Sequence, residues 1–437
     1  MKPPLGKLMS LALRRCRDAE VVFEERVEAS LDGSEPRQAR GWGVRVNHEG
    51  HLGFAWGSLD EPAESLLARA IAQAQSRQTP GILFSHGMAH APPPPPLPPL
   101  DPGPALHRLL RLARRVEFLL PSVTGGRSFT LAGGLLLQRM TLVNRAGERT
   151  AQRTFHALAA RCSRQPPLSA LLVCGQLPES PAEMLSALAW RSAHSDSVAD
   201  SAPTGPQPAL WTTAAVAALL RDLAAQRLDA RALRQGGLPP PPEGPWLSEK
   251  VSLDDDPGSP EGPGSAPFDG EALPRRRQSL LEGGRLRQLL ADRLEASLLG
   301  LAAPGLAVRD WGEPPRPGYS NLVLHPGQSS LGDMARELGD GVLLDRLVPC
   351  RRPGPAGEFC RLAQVAFALR RGRPAERLPP VRVRGSFEAL LGSDLLDLGM
   401  ERAWNGRCLN PPLATAQVNL EPAEEEEGVE EGVGYWW

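Results

Sequence analysis

Leu210–Gln235, LWTTAAVAALLRDLAAQRLDARALRQ, is the stretch from which the rest of the chain is best read. Val216, Leu219, Leu220 and Leu223 fall at i, i+3, i+4 and i+7, a single apolar stripe suited to packing on a core. Thr212 or Thr213 can cap the start, because a Thr hydroxyl accepts a hydrogen bond from an unpaired first-turn N–H. Arg221, Asp222 and Gln226 lie off the stripe. The expectation is an amphipathic helix in the middle of the chain with no chemistry of its own.

Composition sets the frame around that helix. A chain of 437 residues exceeds the usual size of one core, so two domains are expected. The hydrophobic fraction of 41% is enough to fill them, while aromatics at 5% leave the packing to Leu, Ala and Val. Lys2, Lys7 and Lys250 are the only lysines among 49 basic residues, the rest being Arg. Formal charge is −1, but Glu421–Trp437 carries seven Glu and no basic residue, the pattern of a solvated, disordered tail. The six cysteines are scattered without a CxxC pair, which fits free thiols in a reducing, cytoplasmic setting. No segment approaches the apolar length of a membrane span.

Working outward toward the N-terminus, Leu8–Arg17 reads as a short helix. Glu20–Ala29 alternates, with Val21, Phe23 and Val27 opposite Glu24, Arg26 and Glu28, a half-buried strand. Gly41–Val46 and His51–Ala55 form a hairpin about Asn47-His48-Glu49-Gly50. Asp60 is placed to cap a helix with Leu66, Leu67, Ala70, Ile71 and Ala74 on its stripe. Pro92–Pro99 reads as a stiff polyproline connection. Ala105–Leu120 and Pro181–Arg191 read as helices, Leu136–Val143 and Glu148–Cys162 as an antiparallel pair, and Leu171–Cys174 as a short strand.

Toward the C-terminus, Gly236–Pro267 is Pro- and Gly-rich and reads as a long loop. Arg276–Leu281 and Arg285–Leu290 flank a tight Glu282-Gly283-Gly284 turn. Asn321–Leu324, Leu343–Leu347, Ala363–Leu369 and Val381–Arg384 read as strands, and Ser386–Leu396 as a last helix. Ser330 with Asp333 forms a capping-box pattern for a helix that Gly339 or Gly341 ends.

Catalytic motifs are missing. The chain has no GxSxG, no GxxxxGK[ST] and no GxGxxG after a strand. His48 and His51 are close in sequence, but HEGH lacks the spacing of a helical zinc motif and falls in a turn. His156 reads as a half-buried strand residue, and Asp254-Asp255-Asp256 as a solvated acidic turn rather than a calcium loop. Arg275–Arg277, Arg351-Arg352 and Arg370-Arg371 lack interleaved aromatics for nucleic-acid stacking.

Several blocks, in order, resemble one family. PFDGEALPRRRQSLLEGGRLRQLLADR (Pro267–Arg293) and PPRPGYSNLVLHPGQSSLGDM (Pro314–Met334) are similar to the TldD/PmbA family, as are Gly41–Ala74 and Leu142–Cys162. The resemblance implies an α+β, two-domain TldD/PmbA-like fold. A mixed α/β domain would span 1–205 and a β-rich domain 206–420, with the central helix at 213–230 and an acidic disordered tail at 421–437. One arm of that family resembles a zinc protease with HExxxH on its central helix and a further Cys ligand. The other arm, PmbA or TldE, lacks the motif and pairs with the first as a heterodimer.

Laid on this chain, the motif falls on Arg221, Asp222 and Gln226, where Arg has no lone pair for zinc and Gln is a weak ligand. Cys408 lies in the region of the family's cysteine. The implied role is therefore a non-catalytic PmbA/TldE-like subunit with no metal or catalytic residue of its own. Zinc would be held by a TldD-like partner, and unfolded or small peptides would be the substrate, with neither nucleic acid nor membrane as partner. Two alternatives stand beside it. One is an interaction protein modulating DNA gyrase or nucleic acid; the other is an autonomous metallopeptidase using His48, His51 and Cys408.

Overall fold

The computed structural model describes residues 4–84, 98–162, 168–236, 238–242, 244–351, 354–355 and 357–423. Most of the expected polyproline run and all of the acidic tail beyond Ala423 lie outside the described residues.

The N-terminal half runs α1 (Leu5–Arg15), β1 (Asp18–Ser30), β2 (Arg37–His48), β3 (His51–Gly57), α2 (Ala63–Arg77), α3 (Gly103–Val123), β4 (Thr130–Asn144), β5 (Gly147–Cys162), β6 (Leu168–Cys174) and α4 (Ala182–Ala193). Its strands form one sheet in the order β3-β2-β1-β4-β5-β6, each neighbouring pair antiparallel. The β2–β3 hairpin turns on Glu49 and Gly50, both at positive φ (51° and 83°), the geometry that follows the right-handed twist of the strands. Leu8 and Ala12 of α1 and Leu66 and Leu67 of α2 share a core with Val21, Phe23 and Val44. Leu109 and Val116 of α3 and Leu188 of α4 pack with Leu158 and Ala160 of β5.

Two local expectations are corrected here. Helix α2 starts at Pro62 with no side-chain cap, so Asp60 does not cap it. Strand β1 is not half-buried: Glu20 and Glu24 are as inaccessible as Val21 and Phe23. The reason is tertiary, since Phe268 and Ala272 from the C-terminal half cover Val22, Met140 and Leu142.

The C-terminal half continues with β7 (Gly205–Trp211), α5 (Thr213–Leu223), a π-turn (Ala224–Leu228), α6 (Ala230–Gly236), β8 (Leu253–Asp255), β9 (Gln278–Glu282), β10 (Arg285–Leu286), α7 (Arg293–Leu298), β11 (Ala307–Val308) and β12 (Arg316–Pro317). Then come β13 (Leu322–Leu324), α8 (Leu331–Leu338), β14 (Gly341–Pro349), β15 (Glu358–Arg370), β16 (Arg373–Arg377) and β17 (Val381–Ser386). Last are a π-turn (Ala389–Ser393), β18 (Leu395–Leu398), β19 (Ala403–Asn405), β20 (Cys408–Asn410) and β21 (Leu413–Pro422). One sheet has the order β10-β9-β8-β13-β20-β19. The other runs β14-β7-β21-β17-β15, and β15 also pairs with β14, so these strands close on themselves. Closure removes exposed strand edges, a standing aggregation hazard of open sheets.

Other expectations change in this half. Leu210 belongs to strand β7, not to the central helix. The predicted loop after Gly236 contains β8, with Val251 and Leu253 buried in the main core. Asp254-Asp255-Asp256 is not a solvated turn, because Asp255 is fully buried and accepts hydrogen bonds from Ser320 N, Ser320 Oγ and Asn321 N. Ser386–Leu396 is a short π-turn followed by β18 rather than a helix. Glu421 is the partner of Arg382 in the β17–β21 ladder, so the ordered chain runs into the segment read as tail. Ser330 caps α8 through Asp333 N and Gly339 ends it, as its sequence pattern predicts.

Candidate functional site

Helix α5 lies between the two C-terminal sheets, touching β14, β7 and β15 on one side and β20 and β19 on the other. That position explains its composition. Ala215, Val216, Ala217, Ala218, Leu219 and Leu220 are all buried, so this middle of the helix is enclosed on every side rather than amphipathic, and only its last turn reaches solvent at Arg221. Small alanines allow close approach on the faces between the Leu and Val positions. Thr212 is the cap: its Oγ1 accepts from Ala215 N at 3.4 Å and donates to Asp345 Oδ1 at 2.9 Å.

The helix does not run to Gln235. It widens into the π-turn at Ala224–Leu228, and Asp229 is extended, bridging to Leu290. Leu290 N donates to Leu228 O and Ala230 N to Leu290 O, which satisfies backbone groups freed by the break. A π-turn has i→i+5 periodicity and carries residues five apart toward one face, where an ideal α-helix would separate them. Arg221 and Gln226 stand five apart across this distortion.

Arg221 is exposed on the last turn of α5 and interacts with Cys408 on β20, where the side chain is wholly buried. Burial pushes the Cys408 thiol up to about 11, against the pull of Arg221 and Arg407. Tyr319 joins them: its phenol is pushed up by burial and by Cys408, and is pulled back by Arg221, Arg407 and Arg316. Asp222 is held by Arg361 of β15 in a two-pronged pair, with Nε to Oδ2 at 2.7 Å and Nη2 to Oδ1. Gln226 is half-buried within the π-turn.

These donors do not suit zinc. A guanidinium has no lone pair to give, the Cys408 proton is held more tightly than in water, and both carboxylate oxygens of Asp222 are engaged by Arg361. The alternative ligand set is dispersed. His48 and His51 face each other across the β2–β3 turn in the N-terminal sheet, with His48 Nδ1 3.1 Å from Arg15 O, while Cys408 sits in a C-terminal sheet. Among the described residues, no three His, Cys, Asp or Glu side chains are grouped to hold a metal ion. His156 is buried rather than half-buried, and that burial lowers its pKa. The run Arg275–Arg277 is not one surface patch, since Arg275 turns inward to Gly264 O and Ala307 O and Arg277 pairs with Asp254.

Sequence reading overlooked Arg361, Tyr319 and Arg407. Arg361 interrupts the mostly apolar run Phe359–Leu369 of β15, which was a usable signal for a buried partner. Nothing local to Tyr319 or Arg407 marks them, because they reach the helix only through the packing of separate strands.

The fold and the turn together define a class: a two-part α+β protein built around a central helix whose last turn passes into a π-distortion with Arg221, Asp222 and Gln226 about it. Residues 204–421 match the PmbA/TldA metallopeptidase C-terminal domain, and the chain belongs to the TldD/PmbA family. It is 32% identical over 139 residues to a metalloprotease of Methanothermobacter thermautotrophicus, a match covering 32% of this chain and 30% of that protein. It is 26% identical over 161 residues to a metalloprotease TldD homolog of Buchnera aphidicola from Acyrthosiphon pisum, covering 35% of this chain and 33% of the relative. The matched part thus spans about a third of the length of these curated relatives.

Among solved structures, the fold is shared with a proposed modulator of a DNA gyrase from Thermotoga maritima (TM-score 0.75, 18% identity, 95% of this chain and 99% of the other). It is shared equally with TldE from Thermococcus kodakarensis (TM-score 0.73, 18% identity, 95% and 99%). Among the described residues, no helix is long and apolar enough to cross a membrane.

Proposed function

We propose that this chain is the non-catalytic, TldE-like subunit of a TldD/TldE-type metallopeptidase. It would pair with a TldD-like subunit that holds the zinc, and help to hold an extended peptide by strand addition to a sheet edge. The observation that supports this reading is the turn after α5. The backbone keeps a π-distortion suited to residues five apart, yet Arg221 and Gln226 occupy those positions and Asp222 is tied to Arg361. A chain in this state can shape a chamber but has no group there to activate water.

Co-expression with a HExxxH-bearing homologue tests the proposal. Size-exclusion chromatography with metal analysis should give a one-to-one complex whose zinc stays with the partner after separation. Stoichiometric zinc on this chain purified alone would overturn it.

A further inference from the structure

A small cavity of about 30 Å3 opens where the N-terminal sheet meets the C-terminal half, with Arg153, Arg275, Arg309 and Arg407 in its wall. By the usual measure that volume holds about two waters, room for two oxygens of a small anion that enters from the open side. The acids in the same wall are already engaged. Asp269 Oδ1 accepts from Glu271 N and Leu273 N, its Oδ2 accepts from Ala307 N, and Asp310 accepts from Arg316.

The cations are less well served. Arg309 is paired to Glu20 by Nη2, but its buried Nη1 has no partner. Arg275 uses its Nη atoms on two backbone carbonyls, and its buried Nε has no partner. Among the described residues Arg153 donates only to the neutral Gln138, with the buried Glu24 acting on it through space, and it lies over the Phe155 ring that Arg407 also approaches. Among the described residues no carboxylate pairs with Arg407. Burial first, then the nearby Arg407 and Arg275, push Arg153 down to about 9, against the pull of the buried Glu24.

From this cavity and its unanswered guanidinium groups, we propose that the seam between the two halves is a binding site for one small oxyanion of the carboxylate or phosphate type. The ligand would sit between Arg153 and Arg407, with Arg275 within the same wall, where planar guanidinium forks match the geometry of such groups. It would give a direct partner to guanidinium N–H groups that Glu24, Asp255 and Asp269 reach only through space. The inference does not depend on whether a partner supplies zinc.

Calorimetric titration of the full chain with sodium acetate, and separately with inorganic phosphate, at constant ionic strength in chloride, tests the site. Saturable one-to-one binding of at least one anion is expected, and the tighter of the two identifies the ligand type. Arg407→Met should weaken it by about 10-fold or more, the loss typical of one charge-assisted hydrogen bond. The same variant should melt higher than the parent in chloride alone, because a like charge has gone. If Arg407→Met does not fold, Arg153→Gln gives the same two readouts. Absence of saturable binding for both anions, or equal affinity in parent and variants, overturns the proposal.

Discussion

Arginine meets carboxylate in two regions of this molecule, under opposite constraints. At the seam between the halves, Arg309 with Glu20 and Arg45 with Glu271 are each joined at 2.6 Å, and their side chains are at most 6% exposed. At the turn after α5, Arg361 and Asp222 are 12% and 16% exposed, close enough to water for part of their charge to be screened. Neither seam pair can lose a partner cheaply, because the remaining charge would stay buried away from water. The pair at the turn fills a place where a different side chain could stand. The difference separates charges that join the fold from charges that occupy a site.

The sharpest way to break the comparison is Glu20→Ala, which leaves Arg309 buried without its partner. It should lower stability by about 3–5 kcal/mol, read as a fall in the urea midpoint with unchanged slope. A loss below about 1 kcal/mol would mean that water reaches the seam and that the two regions are alike.

The seam also has a pH signature. Burial, followed by the charge of Glu271, pushes Asp269 and Asp292 from the ordinary 3.8 up to about 6. Both carboxyls therefore bind their protons more tightly folded than unfolded. Their contribution to stability is full below about pH 4, falls as the pH rises to about 6, and is flat above. Asp292→Asn keeps a side chain able to cap α7 at Glu295 N. The stability of this variant relative to the parent should rise between pH 4 and 6 and then level off. A difference independent of pH would remove Asp292 from the account.

Smaller effects belong to the turn. Asp222→Ala should cost about 1–3 kcal/mol, less than Glu20→Ala, and thermal denaturation of the two variants in parallel checks the order. Thr212→Ala removes the cap of α5 and should cost about 1 kcal/mol, seen as faster amide exchange in the first turn of the helix.

Much of the element order was legible from local pattern. The β2–β3 hairpin, the stripe of α2, the helix α3, the β4–β5 pair and the Ser330 cap follow from periodicity and turn chemistry that neighbouring residues carry themselves. The candidate site was legible only as positions. Arg221, Asp222 and Gln226 could be picked by resemblance, but not the π-turn beneath them, nor Arg361 joined to Asp222 across the core. Asp60 is exposed and stands two residues before the Pro62 cap position of α2, and Ser386–Leu396 turns through a π-turn into β18, departures that the local cap and helix signals do not announce.

By itself, then, the sequence determined most of the succession of strands and helices and the absence of His and Cys from residues 213–230, since spacing and side-chain chemistry are local properties. Tertiary structure alone decided that Ala215–Leu220 of α5 are enclosed on every side, that Glu20, Glu24 and Asp255 are buried, and that incompletely paired arginines line a cavity at the seam. Burial is set by what the other half of the chain places against a surface, and no local pattern of residues encodes that.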